Sequence, residues 1–158
     1  MQFLKHAPNR RAGRPVSLVI GAACAGLALM AASPAQSAPD ISGKWRTKAD
    51  AVVEISTCGS ALCGKLVSFP APKGETEATA TDANNRDASK RNRKLLGLKI
   101  LWQLKPDGDA WSGRIYDPRR GFSAAATVTT PRAGQLNIKG CVKAVVNVCK
   151  NEVWTKVN

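Results

Sequence analysis

Residues 95–130 read LLGLKILWQLKPDGDAWSGRIYDPRRGFSAAATVTT, and this stretch decides the fold. Two turn cassettes, Pro106-Asp107-Gly108 and Asp117 to Gly121, separate three runs whose apolar positions recur every second residue. Leu98, Ile100, Trp102 and Leu104 share one face of the first run. Trp111, Gly113 and Ile115 do so in the second, and Phe122, Ala124, Ala126 and Val128 in the third. Lys99, Gln103, Ser112, Arg114, Ser123, Thr127 and Thr129 fall opposite. The alternation predicts an antiparallel meander with one dry face and one wet face.

The same period extends outward from the meander. Asp40 to Thr47 places Trp45 and Thr47 opposite Lys44 and Arg46, Ala51 to Thr57 turns Val53 and Ile55 inward, and Ala61 to Phe69 does the same with Leu62, Gly64 and Leu66. Gln135 to Cys141 alternates through Leu136, Ile138 and Gly140. In Cys149 to Asn158, Val153, Thr155 and Val157 oppose Glu152, Trp154 and Lys156, and the pattern leaves open which set faces inward. Eight strands joined mostly by short turns predict an all-β, antiparallel up-and-down barrel, which leaves no free sheet edge. Such a barrel is filled by side chains or keeps one small ligand. The inward set mixes Trp45, Trp102, Trp111 and Phe122 with Gly64, Gly113, Ala124, Ala126 and Gly140. Large beside small fits interdigitated packing and also an apolar pocket open at one end.

Upstream of the barrel, residues 1–38 have the make-up of a helical signal peptide that is cleaved on export. Lys5, Arg10, Arg11 and Arg14 come without an acid, Val16 to Ala32 is apolar and rich in Gly and Ala, and Ser33 to Ala38 supplies small residues for a peptidase. Residues 39–158 then form a single domain, about 120 residues being enough for one modest core. The expected location is the periplasm or the outside of the cell, with no membrane span after cleavage. Removal of those four cations leaves 20 basic against 11 acidic residues, a net charge of +9. In that compartment a basic surface favours phospholipid, lipopolysaccharide or another anionic envelope component over nucleic acid.

Four cysteines survive export, Cys58 and Cys63, then Cys141 and Cys149. Three pairings can be drawn, and the local ones fit best because each pair brackets a short connection between strand-like runs. Loops this short each contribute about 2 to 3 kcal/mol. A four-thiolate zinc site is the rival, disfavoured by an oxidising compartment and by the lack of a CxxC knuckle, so no metal is expected. The only histidine, His6, lies in the leader. Its loss removes Ser-His and Cys-His dyads and His-based acid–base chemistry, and no cluster of carboxylates, Lys, Tyr116 or hydroxyls stands out. A protein without catalysis or cofactor is the expectation.

Pro70 to Lys94 breaks the strand pattern, its 25 residues holding nothing apolar larger than Ala. Loops of this length are functional lids or disordered. Asp82, Asn84 and Asn85 resemble a calcium loop, but Arg86 stands at a ligand position and Arg93 replaces the closing Glu. Lys90, Arg91, Arg93 and Lys94 are a candidate anion site, against which stands a plain solvated basic loop. Asp117 is a candidate to meet Asn84 and Asn85 at the barrel mouth and hold a polar headgroup. Read structurally, Asp-Pro-Arg-Arg-Gly is a hairpin turn that uses every residue.

Gly43-x-Trp45 at the start of a small exported β-domain looks like the first-strand signature of lipocalins. Together with Cys58-Gly59-x-x-Leu62-Cys63-Gly64-Lys65, Asp82-x-Asn84-Asn85, Leu95-Leu96-Gly97, Trp111-x-Gly113-x-Ile115-Tyr116-Asp117-Pro118, Leu136-x-Ile138-x-Gly140 and Trp154-Thr155-Lys156, it resembles the exported bacterial family called domain of unknown function 2147. The resemblance implies a lipocalin-like fold. Arg119-Arg120-Gly121-Phe122 and the second cysteine pair depart from the family's usual pattern. The expected function is binding of a small apolar or amphipathic ligand or an envelope component, with Trp45, Trp102, Trp111, Phe122, Asp82, Asn84, Asn85 and Asp117 as candidate contacts. The alternative is a structural or protein-interaction module with a filled core.

Overall fold

The computed structural model describes residues 38–158, so the leader assigned to residues 1–38 lies outside the described residues apart from Ala38. Eight strands follow in order: β1 (Gly43–Arg46), β2 (Val52–Cys58), β3 (Ala61–Ser68), β4 (Lys99–Asp107), β5 (Ala110–Asp117), β6 (Phe122–Arg132), β7 (Gln135–Lys143) and β8 (Asn147–Lys156). Each pairs antiparallel with the next, and β1 closes on β8 through Trp45 opposite Lys156 and Arg46 opposite Thr155. The closed, eight-stranded antiparallel barrel expected from the alternation is the architecture observed. Among the described residues no helix is long and apolar enough to cross a membrane. The Asp117–Gly121 cassette is a turn in fact: the Asp117 carboxylate accepts from the Arg119 amide at 3.0 Å, and its carbonyl accepts from the Gly121 amide at 2.8 Å. Gly121 has φ 68°, and a Cβ there would overlap the carbonyl of Asn84, so conformation and space both demand glycine.

Strand β4 departs from the simple alternation. Its register against β3 skips at Ile100 and again beyond Leu101, and against β5 it skips between Trp102 and Lys105. Gln103 sits at φ 55°, the bulge residue of the second skip. Two extra residues shift the phase, so Ile100, Leu101 and Leu104 are all buried. Trp102 therefore does not share a face with Ile100 and Leu104. It opposes Arg114 and lies half-buried on the outer wall, in a shallow groove it shares with Cys63. Gly113 is small for a related reason: a Cβ on it would lie 2.8 Å from the carbonyl oxygens of Trp102 and Gln103, the bulged backbone.

The packed part of the core lies at the end where the chain enters β1. Ile41, Trp45, Leu62, Leu104, Val128 and Leu136 are buried there. The segment ahead of β1 is tied across that end, since Trp45 Nε1 donates to the Ile41 carbonyl and Trp111 Nε1 to that of Pro39, both at 2.8 Å. These bonds satisfy each indole while its ring stays in the core. On β8 the inward set is the one carrying Trp154, buried opposite Leu136, while Val153 is exposed. Cys58 pairs with Cys63 across the β2–β3 turn, with Cα atoms 5.8 Å apart. Cys141 pairs with Cys149 as direct cross-strand neighbours, 4.1 Å apart. The four sulfurs are thus divided between two hairpins, and the pairs suit an oxidising compartment.

Candidate functional site

At the opposite end the barrel is hollow. Small inward residues on β6 and β7, Ala124 and Gly140, leave a cavity of about 450 Å³ against Ile115 and Ile138. A second region of about 590 Å³ continues beneath the β3–β4 loop, walled by Leu66, Phe69, Leu95 and Ile100. Ile115, Asp117, Arg119, Glu152 and Trp154 border both regions. Volumes of this size accept a small molecule or one short acyl chain. The walls are mainly apolar and the rim is charged: Asp117 pairs with Arg119 at 3.3 Å, while Glu152 accepts from the Lys48 amide at 3.0 Å and from Trp154 Nε1 at 3.1 Å.

The roof over this end is pinned by a buried polar cluster. Asp82, 1% exposed, accepts from the Tyr116 hydroxyl at 2.7 Å, from Asn85 Nδ2 at 2.6 Å and from Arg93 Nε at 2.9 Å. Arg93 also lies with its guanidinium 5.0 Å above the Tyr116 ring, and Asn85 donates to the Tyr116 oxygen at 2.8 Å. The backbone reinforces the cluster, with Asp82 N–H donating to Arg93 at 3.0 Å and Thr81 bridging Lys94. Burial, then the hydrogen bond and charge of Asp82, push the Tyr116 hydroxyl up to about 12. A carboxylate with three protein donors and an arginine counter-charge offsets its own desolvation. The loop is therefore an ordered cover, and its sequence polarity serves this anchor.

The candidate residues divide by this geometry. Trp45 and Trp111 belong to the packed end, and Trp102 to the outer wall. Phe122 borders the 450 Å³ region, and Asn84 and Asp117 border the 590 Å³ region. Asp82 and Asn85 are spent on the anchor. The basic cluster is mostly spent as well: Lys90 pairs with Asp87 at 2.6 Å, Arg93 with Asp82, Arg91 Nε donates to the Asn85 carbonyl at 2.8 Å and Lys94 Nζ to that of Thr79 at 3.0 Å. Lys90 and Ser89 hold the Asp87 carboxyl down to about 2.

Two further cations gather on Phe122: Arg120 borders the 450 Å³ cavity, and Arg86 lines a separate groove with Trp102. The guanidinium groups of Arg86 and Arg120 each lie 5.0 Å from the Phe122 ring centroid. Among the described residues neither forms an ion pair. They are 34 positions apart, and no local signal joins them. Trp154, Glu152 and Arg119 also border the hollow and are not among the residues the sequence pattern points to. The open choice of inward face on β8 was the signal that held the first two.

Comparison with known proteins places this geometry. A family model described as "Uncharacterized protein conserved in bacteria (DUF2147)" matches residues 43–156, and the chain belongs to that family. Among solved structures the fold is similar to protein HP1028 from the human pathogen Helicobacter pylori, described as belonging to the lipocalin family. That likeness has a TM-score of 0.64 at 18% identity and covers 75% of this chain and 84% of the other, so it is a likeness of fold. No curated protein matches the chain.

Proposed function

We propose that this family member is a non-catalytic carrier of one small apolar or amphipathic molecule, working in the periplasm or outside the cell. The observation that carries the reading is the hollow, mainly apolar half of the barrel, bordered by Ala124 and Gly140 and rimmed by Asp117, Arg119 and Glu152. The oily part of the ligand sits against Ile115, Ile138 and Trp154. Its polar end meets the charged rim, where Arg120, packed on Phe122, favours a negative head.

Titration with single-chain fatty acids and lysophospholipids, followed by tryptophan emission, tests the proposal. The expected result is a saturable change that Trp154→Phe largely removes and that Gly140→Leu abolishes by filling the cavity. A parent protein whose emission stays flat across the series, with nothing of low mass copurifying, would overturn it.

A further inference from the structure

The β7–β8 hairpin ends in apolar side chains that nothing in the fold covers. Val145 is fully exposed, and Val146 and Val148 are each more than half exposed. Val145 and Val146 lie beyond the buried inward set of the same two strands, Leu136, Ile138 and Trp154, whose face Val148 continues to the cavity rim. Residues 139–150 read KGCVKAVVNVCK, carrying Lys139, Lys143 and Lys150 and no acid. The bond between Cys141 and Cys149 ties the hairpin just below its tip, so the two strands enter any contact already ordered. Val142, Val148 and Lys150 also border the 450 Å³ cavity together with Arg120. Exposed apolar patches of this kind mark contact sites.

We propose that this tip docks onto an anionic lipid surface, with Val145 and Val146 entering the headgroup layer and the three lysines facing lipid phosphates. Charge complementarity selects this occupant: apolar side chains ringed by cations and free of carboxylates match an anionic interface, whereas a second copy of this hairpin would bring lysines against lysines. Docking presents the mouth of the cavity to the membrane, where an amphipathic ligand enters or leaves. The inference rests on the carrier reading only for this consequence, since docking does not require an occupied cavity.

Co-sedimentation of the full chain with phosphatidylglycerol–phosphatidylcholine vesicles, and with phosphatidylcholine vesicles alone, tests it, the amino-terminal stretch being common to every protein compared. The expected result is tighter binding to the anionic vesicles that weakens as salt rises. Val145→Ser with Val146→Ser should lower that affinity at least about tenfold, and Lys143→Gln or Lys150→Gln about fivefold each, with thermal unfolding unchanged. Gly140→Leu should lose fatty-acid binding and keep vesicle binding, which separates failure of this inference from failure of the carrier reading. Variants that hold the parent's vesicle affinity, or a valine-dependent dimer in sedimentation velocity without vesicles, would overturn docking on lipid.

Discussion

The two ends of the barrel are built from the same alternating strands and differ in what fills them. At the entry end Gly64 has no spare room: a Cβ on it would lie 2.9 Å from Val53 Cγ1 and 3.0 Å from Leu101. At the other end a Cβ on Gly140 would sit 3.5 Å from Ile115 and 3.8 Å from Ala124, ordinary contact beside a cavity. One end is a plug of large side chains tied by indole hydrogen bonds. The other is a hollow roofed by a loop that a buried carboxylate holds in place. Eight strands set one circumference, so side-chain volume at each level decides between plug and pocket. The comparison teaches that close packing and open volume are assigned to opposite ends of one sheet.

The sharpest way to break this contrast is at the plug. Trp45→Ala should cost about 3–5 kcal/mol in denaturant unfolding, because it opens a cavity where the surroundings are close-packed. Gly64→Ala comes next, at about 1–3 kcal/mol from overpacking, read from the same curves. A loss below about 0.5 kcal/mol there would mean that the plug is looser than its distances imply.

The roof is tested through Tyr116, the chain's single tyrosine. Tyr116→Phe leaves Asp82 buried with one donor fewer and should cost about 1–2 kcal/mol, with amide exchange rising first over residues 80–95. The wild-type phenol should ionise in an absorbance titration near 12, not near its ordinary 10.0. Below pH 10 both states hold the proton and the contribution is complete. Between pH 10 and 12 the unfolded chain releases the proton while the folded one keeps it, so stability falls across that window. The mildest effect is at the hollow: Gly140→Ala should be neutral or stabilise by up to about 1 kcal/mol, since it removes chain freedom and meets no obstruction.

The strands and the barrel were legible because a period of two needs only local sequence, and turn residues such as Pro106-Asp107-Gly108 and Asp117–Gly121 punctuate it. The failure on β4 was also local in appearance. A bulge inserts a residue without changing hydrophobicity, so Trp102 kept its place in the apolar rhythm while its face reversed. The candidate site was read less well. Asp82, Asn85, Arg91 and Arg93 look like ligand-binding groups in a polar loop, and the fold turns them on one another and on Tyr116, 34 residues from Asp82. Arg86 and Arg120 carry no mark of pairing until β6 brings Phe122 between them.

From the residues alone came the closed alternating sheet, the turn at Asp117, the local cysteine pairs and a basic surface, all of which depend on neighbours a few positions apart. Tertiary structure alone decided which end is hollow, which way Trp102 and Trp154 point, and which cations remain unpaired. Those outcomes depend on volumes and charges meeting across the barrel, and no spacing along the chain records such meetings.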